Sequence, residues 1–260
     1  KAQDYLHLLK YDSIHGKFPF EVKLDNDFII IGDNKIKFFN QKNPAEIDWS
    51  SQNVDIVIDS TGIFKDKEAL SAHMKGSVKK VIMCAPGKQL DGTFVMGINS
   101  DQYDTTKHHF ISNASCTTNC LAPVAKVLEE NLKIINGFMT TVHSYTNDQN
   151  LLDNSHYDLR RARAAALSMI PTTTGAAKAL GEVIPSLKGK LDGYAVRVPT
   201  PNVSMVDLTV NVEKSTTIAE INAMMKKASE THLQNILAYT DEELVSTDFM
   251  GRTESSIFDS

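Results

Sequence analysis

The chain has 260 residues, 42% apolar and 23% charged, with 27 Lys and Arg against 32 Asp and Glu for a formal charge of -5. These fractions belong to a globular protein that buries a core, and at about 150 residues per domain the length allows one or two domains. Mild acidity argues against a dedicated nucleic-acid site, and no stretch approaches the roughly 18 unbroken apolar residues of a membrane span.

The chain starts at Lys1 with Tyr5, Leu6, Leu8 and Leu9 already apolar, and 255–260 stop without a helix or strand terminus. The expectation is a chain without a signal peptide and lacking material at one or both ends. Val54-Asp55-Ile56-Val57-Ile58-Asp59 reads as a strand ending at Ser60-Thr61-Gly62, followed by a helix-compatible stretch over 65–75. A second strand, Val78-Lys79-Lys80-Val81-Ile82-Met83, ends at Ala85-Pro86-Gly87, and Phe110-Ile111 leads into Ser112-Asn113-Ala114-Ser115-Cys116. Strand, helix, strand marks a parallel α/β domain, whose ligands bind at the carboxyl ends of the strands. None of the 13 glycines forms a G-x-G-x-x-G.

Beyond residue 115 the style changes. Residues 134–142 are rich in β-formers and end at His143, which opens a polar loop. In 204–213, Val206, Leu208, Val210 and Val212 alternate with polar residues, the mark of a half-buried, commonly antiparallel strand. Thr217-Ile218-Ala219-Glu220 reads as a capping box opening a helix toward Leu233. The change places a domain boundary at Cys116.

Three cysteines, Cys84, Cys116 and Cys120, suit a reducing compartment better than a disulfide framework. No metal is expected, because the Cys116/Cys120 spacing lacks further ligands at finger-like positions. Cys116 follows a strand and precedes a helical pattern, so it sits near a helix amino end, where a thiol ionises more readily. Pro123 requires that helix to start late, near Asn119, or to kink. Cys120, one turn on, reads as packing. His143 is the candidate base. Thr172-Thr173-Thr174-Gly175 before a helix-forming run suits either a phosphate or plain N-capping, and Arg160, Arg161, Arg163 and Arg197 are candidate anion partners.

The run Ser112-Asn113-Ala114-Ser115-Cys116-Thr117-Thr118-Asn119-Cys120 resembles the active-site motif of phosphorylating glyceraldehyde-3-phosphate dehydrogenases. Thr141-Val142-His143-Ser144-Tyr145-Thr146-Asn147-Asp148-Gln149, the stretch from Asp158 to Ala166, Pro171 to Lys178, and Arg197 to Ser204 resemble the same family, so the resemblance covers essentially the whole chain. It implies an α/β protein: an incomplete Rossmann-like parallel-sheet domain over 1–115, and an α+β catalytic domain with a mostly antiparallel sheet over 116–260. It implies a cytoplasmic, homotetrameric glycolytic enzyme that uses NAD, glyceraldehyde 3-phosphate and inorganic phosphate. Cys116 would be the nucleophile and His143 its acid–base partner. Ser115, Thr117, Thr146, Arg161, Thr174, Gly175 and Arg197 would contact substrate and phosphate. Lys42, Thr61, Gly62 and Cys84 would lie on the cofactor side, with Cys84 where a serine is usual.

The resemblance also implies that the Gly-rich pyrophosphate turn and the C-terminal segment are absent, so the chain alone is expected to bind NAD poorly. Two alternatives stand beside this reading: an erythrose-4-phosphate dehydrogenase, and an inactive or non-redox Cys–His chain.

Overall fold

The computed structural model describes residues 2–260. Helix α1 (Ala2–Lys10) leads into a short hairpin of β1 (Tyr11–Asp12) and β2 (Gly16–Lys17). An antiparallel meander follows: β3 (Val22–Asp25), β4 (Phe28–Ile31) and β5 (Asn34–Lys37). Its two-residue turns hold Asn26 at φ 52° and Gly32 at φ 55°, the left-handed backbone that tight hairpins need.

The parallel sheet has the order β6-β7-β9-β8, from β6 (Ile56–Asp59), β7 (Lys80–Met83), β8 (Gly92–Thr93) and β9 (Phe110–Ser112). One face packs around Val57, Leu70, Val81, Met83 and Phe110, while Ile56 and Ile58 on the other face of β6 are exposed. Helix α2 (Lys67–Leu70) is shorter than the 65–75 stretch suggested. It passes into a single 3-10 turn, Ser71–His73, and Met74 leaves helical geometry at ψ 74° ahead of Gly76.

Helix α3 (Cys116–Leu132) runs from the parallel sheet to the second one. That sheet has the order β11-β12-β10-β13, from β10 (Ile134–Ser144), β11 (Ile170–Thr173), β12 (Leu191–Val198) and β13 (Met205–Val212). Two of its three pairings are antiparallel, and β10 with β12 is parallel. Helices α4 (Ala176–Val183) and α5 (Ile218–Glu230) complete the layer. The main core gathers Leu121, Ala125, Leu128, Ile134, Met139, Leu180 and Met225, together with Val95 and Ile98 from the first half. Burying side chains of this size stabilises by about 1.5–3 kcal/mol each before entropy is counted. The alternating strand reading is seen in β13, where Val206, Leu208, Val210 and Val212 face the core. The capping box forms at Thr217, but α5 ends at Glu230, because Thr231 turns away at ψ -109°. A last parallel pair, β14 (Leu237–Thr240) and β15 (Ser256–Asp259), packs beside α5 and α3. No helix among the described residues is long and apolar enough to cross a membrane.

Candidate active site

Asp59, Met83 and Ser112 stand in register at the ends of β6, β7 and β9. The loops after them therefore share one edge of the parallel sheet. The ladder continues one residue further: Cys84 N–H donates to the Asp59 carbonyl at 2.9 Å, and Asn113 N–H to the Met83 carbonyl at 3.1 Å. Ser112 Oγ donates to the Ala85 carbonyl at 2.7 Å and accepts from Ala114 N–H at 2.9 Å. Ala114 is buried at φ 57°, a left-handed conformation that costs an L-residue about 1–2 kcal/mol.

The chain then enters α3. Ser115 is extended, and its hydroxyl accepts from Thr118 N–H at 3.0 Å, an N-cap. Cys116 is the first helical residue, so its own N–H has no acceptor within the helix and lies at the positive end of the dipole. The helix does not start late at Asn119. Pro123 lies inside it, where its missing N–H removes the helical donor of the Asn119 carbonyl.

His143 comes from the penultimate position of β10, and its Nε2 lies 3.3 Å from Cys116 Sγ. Nδ1 lies 2.7 Å from the Ser144 carbonyl, which only accepts, so Nδ1 carries a proton and Nε2 offers its lone pair to the thiol. The His143 hydrogen bond draws the Cys116 thiol down to about 7, against the opposing effect of partial enclosure. Cys116 remains exposed.

The parallel register sets His143 directly beside Arg197 of β12. Arg197 donates to the same Ser144 carbonyl at 3.3 Å and to Thr146 Oγ1 at 3.0 Å. Burial first, and then the nearby Arg161, pull its pKa below the usual guanidinium value, and its Nε is buried without a partner. Arg161 donates to Thr172 Oγ1 at 3.1 Å and to the Thr173 carbonyl at 3.4 Å, and is paired with Asp148. Thr117 is buried, with its hydroxyl 4.0 Å from Cys116 Sγ.

The amino ends of α3 and α4 meet where Thr118 Oγ1 donates to the Ala176 carbonyl at 3.5 Å. Gly175 is the N-cap of α4, with open space where a Cβ would stand, and Thr174 Oγ1 accepts from Ala176 N–H at 3.2 Å. A thiol, an imidazole, guanidinium groups and two helix starts thus converge, a set suited to acyl transfer on an anionic substrate. Of the other candidate arginines, Arg160 donates to the Pro171 carbonyl and Arg163 pairs with Asp153 on the surface. Asp148, the Ser144 carbonyl and Asn119 had no role assigned from sequence. Asp148 and Asn119 each lie in a polar run visible in the sequence, after His143 and after Cys116, whereas the Ser144 carbonyl, a backbone group, has no sequence signal.

Comparison with known proteins returns the same chemistry. Residues 115–260 match the C-terminal domain of glyceraldehyde 3-phosphate dehydrogenase, and residues 1–67 match the NAD binding domain. The chain is 55% identical over 258 residues to glyceraldehyde-3-phosphate dehydrogenase of Geobacillus stearothermophilus, covering 99% of this chain and 77% of the relative. It is 54% identical over 258 residues to glyceraldehyde-3-phosphate dehydrogenase 1 of Bacillus cereus, with the same coverage. The value is 51% over 258 residues for glyceraldehyde-3-phosphate dehydrogenase 2 of Bacillus subtilis, covering 99% and 76%. The chain belongs to the glyceraldehyde-3-phosphate dehydrogenase family.

For a family member, the carboxyl edge of the parallel sheet is the surface to test for fit to NAD. Asp59 Oδ1 accepts from both Thr61 N–H and Thr61 Oγ1 at 2.8 Å, fixing the turn after β6. Gly62 follows at φ 68°, with nothing within 4 Å of a notional Cβ, and Cys84 is exposed on the adjoining loop. This open, backbone-lined ledge next to the Cys116 loop fits a flat, weakly charged ring. No G-x-G-x-x-G occurs in the chain, so the pyrophosphate has no such cradle here. Lys42 is exposed on the loop after β5 and, among the described residues, makes no hydrogen bond or ion pair with the ledge.

Proposed function

We propose that this chain carries the site of an NAD-dependent, phosphorylating glyceraldehyde-3-phosphate dehydrogenase, with Cys116 as nucleophile and His143 as acid–base. The 3.3 Å contact between Cys116 Sγ and His143 Nε2, at the first residue of α3, is the observation that carries this reading. His143 Nε2 takes the thiol proton as sulfur adds to the aldehyde carbon. The oxyanion that develops faces the free N–H groups at the start of α3, and the imidazolium returns the proton to it. His143 then accepts the proton of the resulting hemithioacetal hydroxyl. Thr61, Gly62 and Cys84 would hold NAD along the ledge, and bound NAD would supply the hydride acceptor that oxidation of the hemithioacetal to a thioester requires. Phosphate oxygen attacks that thioester, and Cys116 leaves as a thiolate, far more readily than an alkoxide would.

Arg197 and Arg161 supply cationic forks for the two phosphate groups, and Ser115, Thr117, Thr146, Thr174 and Gly175 supply hydroxyl and backbone donors. The exposed apolar side chains of the 145–169 loop support assembly into a homotetramer. Three unpaired cysteines support a reducing, cytoplasmic setting, which cell fractionation checks.

The assay is NADH formation from glyceraldehyde 3-phosphate, NAD and phosphate by the full-length protein that carries this chain. Turnover is expected, with loss of at least a thousandfold in Cys116→Ser. Preferred turnover of erythrose 4-phosphate, or activity surviving in Cys116→Ser, would overturn the assignment.

A further inference from the structure

One side chain near Cys116 has no part in the chemistry above. Asn119 lies in the first turn of α3, and its amide reaches back toward the loop that precedes the helix. Nδ2 donates to the Asn113 carbonyl at 2.7 Å and to the Ser115 carbonyl at 3.0 Å. These are the carbonyls on either side of Ala114, the buried residue held at φ 57°. The Ser115 carbonyl already accepts from Asn119 N–H at 2.9 Å, so the side chain adds a second donor to an acceptor the helix has satisfied. The Asn113 carbonyl lies outside the helix, which makes the bond to it the one that ties loop to helix. Ala114 belongs to the disfavoured left-handed region, where only glycine rests without strain.

We propose that Asn119 is a positioning residue: its amide clasps the loop around Ala114 in the left-handed turn that aims Cys116 Sγ at His143 Nε2. The inference rests on Cys116 being the reacting thiol. Ser112 Oγ holds Ala114 N–H from the strand side, and Ser115 Oγ holds the helix start. Neither bond ties the helix to the loop residue before Ala114, which the Asn119 amide does. Without it, Ala114 relaxes toward negative φ, and Ser115 and Cys116 rotate with it. The thiol then loses the alignment that lowers its pKa.

The test needs neither cofactor nor turnover, so it fails separately from the enzymatic assignment. Alkylation of Cys116 by iodoacetamide is followed against pH by mass spectrometry, with Cys84 as the internal reference. In Asn119→Ala the rate at pH 7 should fall about fivefold and its pH midpoint should rise by about one unit, while the Cys84 rate stays constant. Adding Ala114→Gly should restore most of the loss, because glycine adopts the turn unaided. An Asn119→Ala protein with the wild-type profile overturns the proposal. So does one whose defect, in alkylation or in folding, Ala114→Gly leaves uncorrected. If Asn119→Ala fails to fold and the double variant folds with a near-native profile, the clasp is supported.

Discussion

The proton between Cys116 and His143 is held by geometry that a single carbonyl arranges. Ser144 accepts from His143 Nδ1 and from Arg197, so imidazole and guanidinium are aligned on one oxygen. With the thiol near 7, roughly half of it is thiolate at neutral pH, whereas burial pushes Cys120 up. Iodoacetamide should therefore label Cys116 before Cys84 and Cys120, with a rate that climbs through a midpoint near pH 7. His143→Gln removes the lowering partner. The midpoint moves toward the ordinary thiol range, and the pH 7 rate drops about tenfold. Equal labelling of all three cysteines would contradict this.

The sequence displayed Cys116, His143 and the threonine–arginine set because each lies in a compact motif. It did not display what the backbone contributes. The Ser144 carbonyl, the left-handed Ala114 and the reach of Asn119 exist only once strand, loop and helix are assembled. Asp148 was visible as a residue, but its pairing with Arg161 depends on a loop closing over 13 positions. The assignments of Lys42, Thr61, Gly62 and Cys84 came from resemblance, and the fold groups three of the four along one edge.

Among the elements, α5 and β13 were the most readable. The Thr217–Glu220 box closes in both directions: Thr217 Oγ1 accepts from Glu220 N–H at 3.3 Å, and Glu220 Oε2 accepts from Thr217 N–H at 2.8 Å. Thr217→Ala should cost about 1 kcal/mol in urea unfolding, and Thr217→Ser should retain most of that stability. A loss below about 0.3 kcal/mol would mean that the packing of α5 through Met225 and Ala228 holds the helix without the cap. The meander of β3 to β5 turns at Asn26-Asp27 and Gly32-Asp33, but only β4 is an apolar run, so the flanking strands give little signal. The parallel pair β14 and β15 was not legible. Its strands are 4 residues each, and a 15-residue connection separates them.

At the scale of the molecule, α3 joins two sheets and shares a core with both halves. Val95 and Ile98 pack with Leu121 and Leu128. Apolar surfaces left uncovered among the described residues include the 150–169 loop with Leu152, Tyr157, Leu159 and Leu167, and the outer face of the second sheet with Phe138 and Tyr194. Surfaces of this kind mark contacts with other chains. Sedimentation velocity of the full-length protein should show a tetramer, and Leu159→Asp with Leu167→Asp should shift it toward smaller species. A wild-type monomer at micromolar concentration would remove the proposal.

The unbroken pairing of β10 with β12 over eight positions, from Gly137↔Leu191 to Ser144↔Val198, acts as a ruler. It fixes the phase at which His143 and Arg197 emerge. Inserting or deleting a single residue in either strand would turn one of the two side chains to the opposite face of the sheet. A change of two residues would preserve the face but shift His143 relative to Arg197 by about 7 Å. The length of these strands is therefore constrained as well as their side chains: the spacing between imidazole and guanidinium is counted out in peptide units.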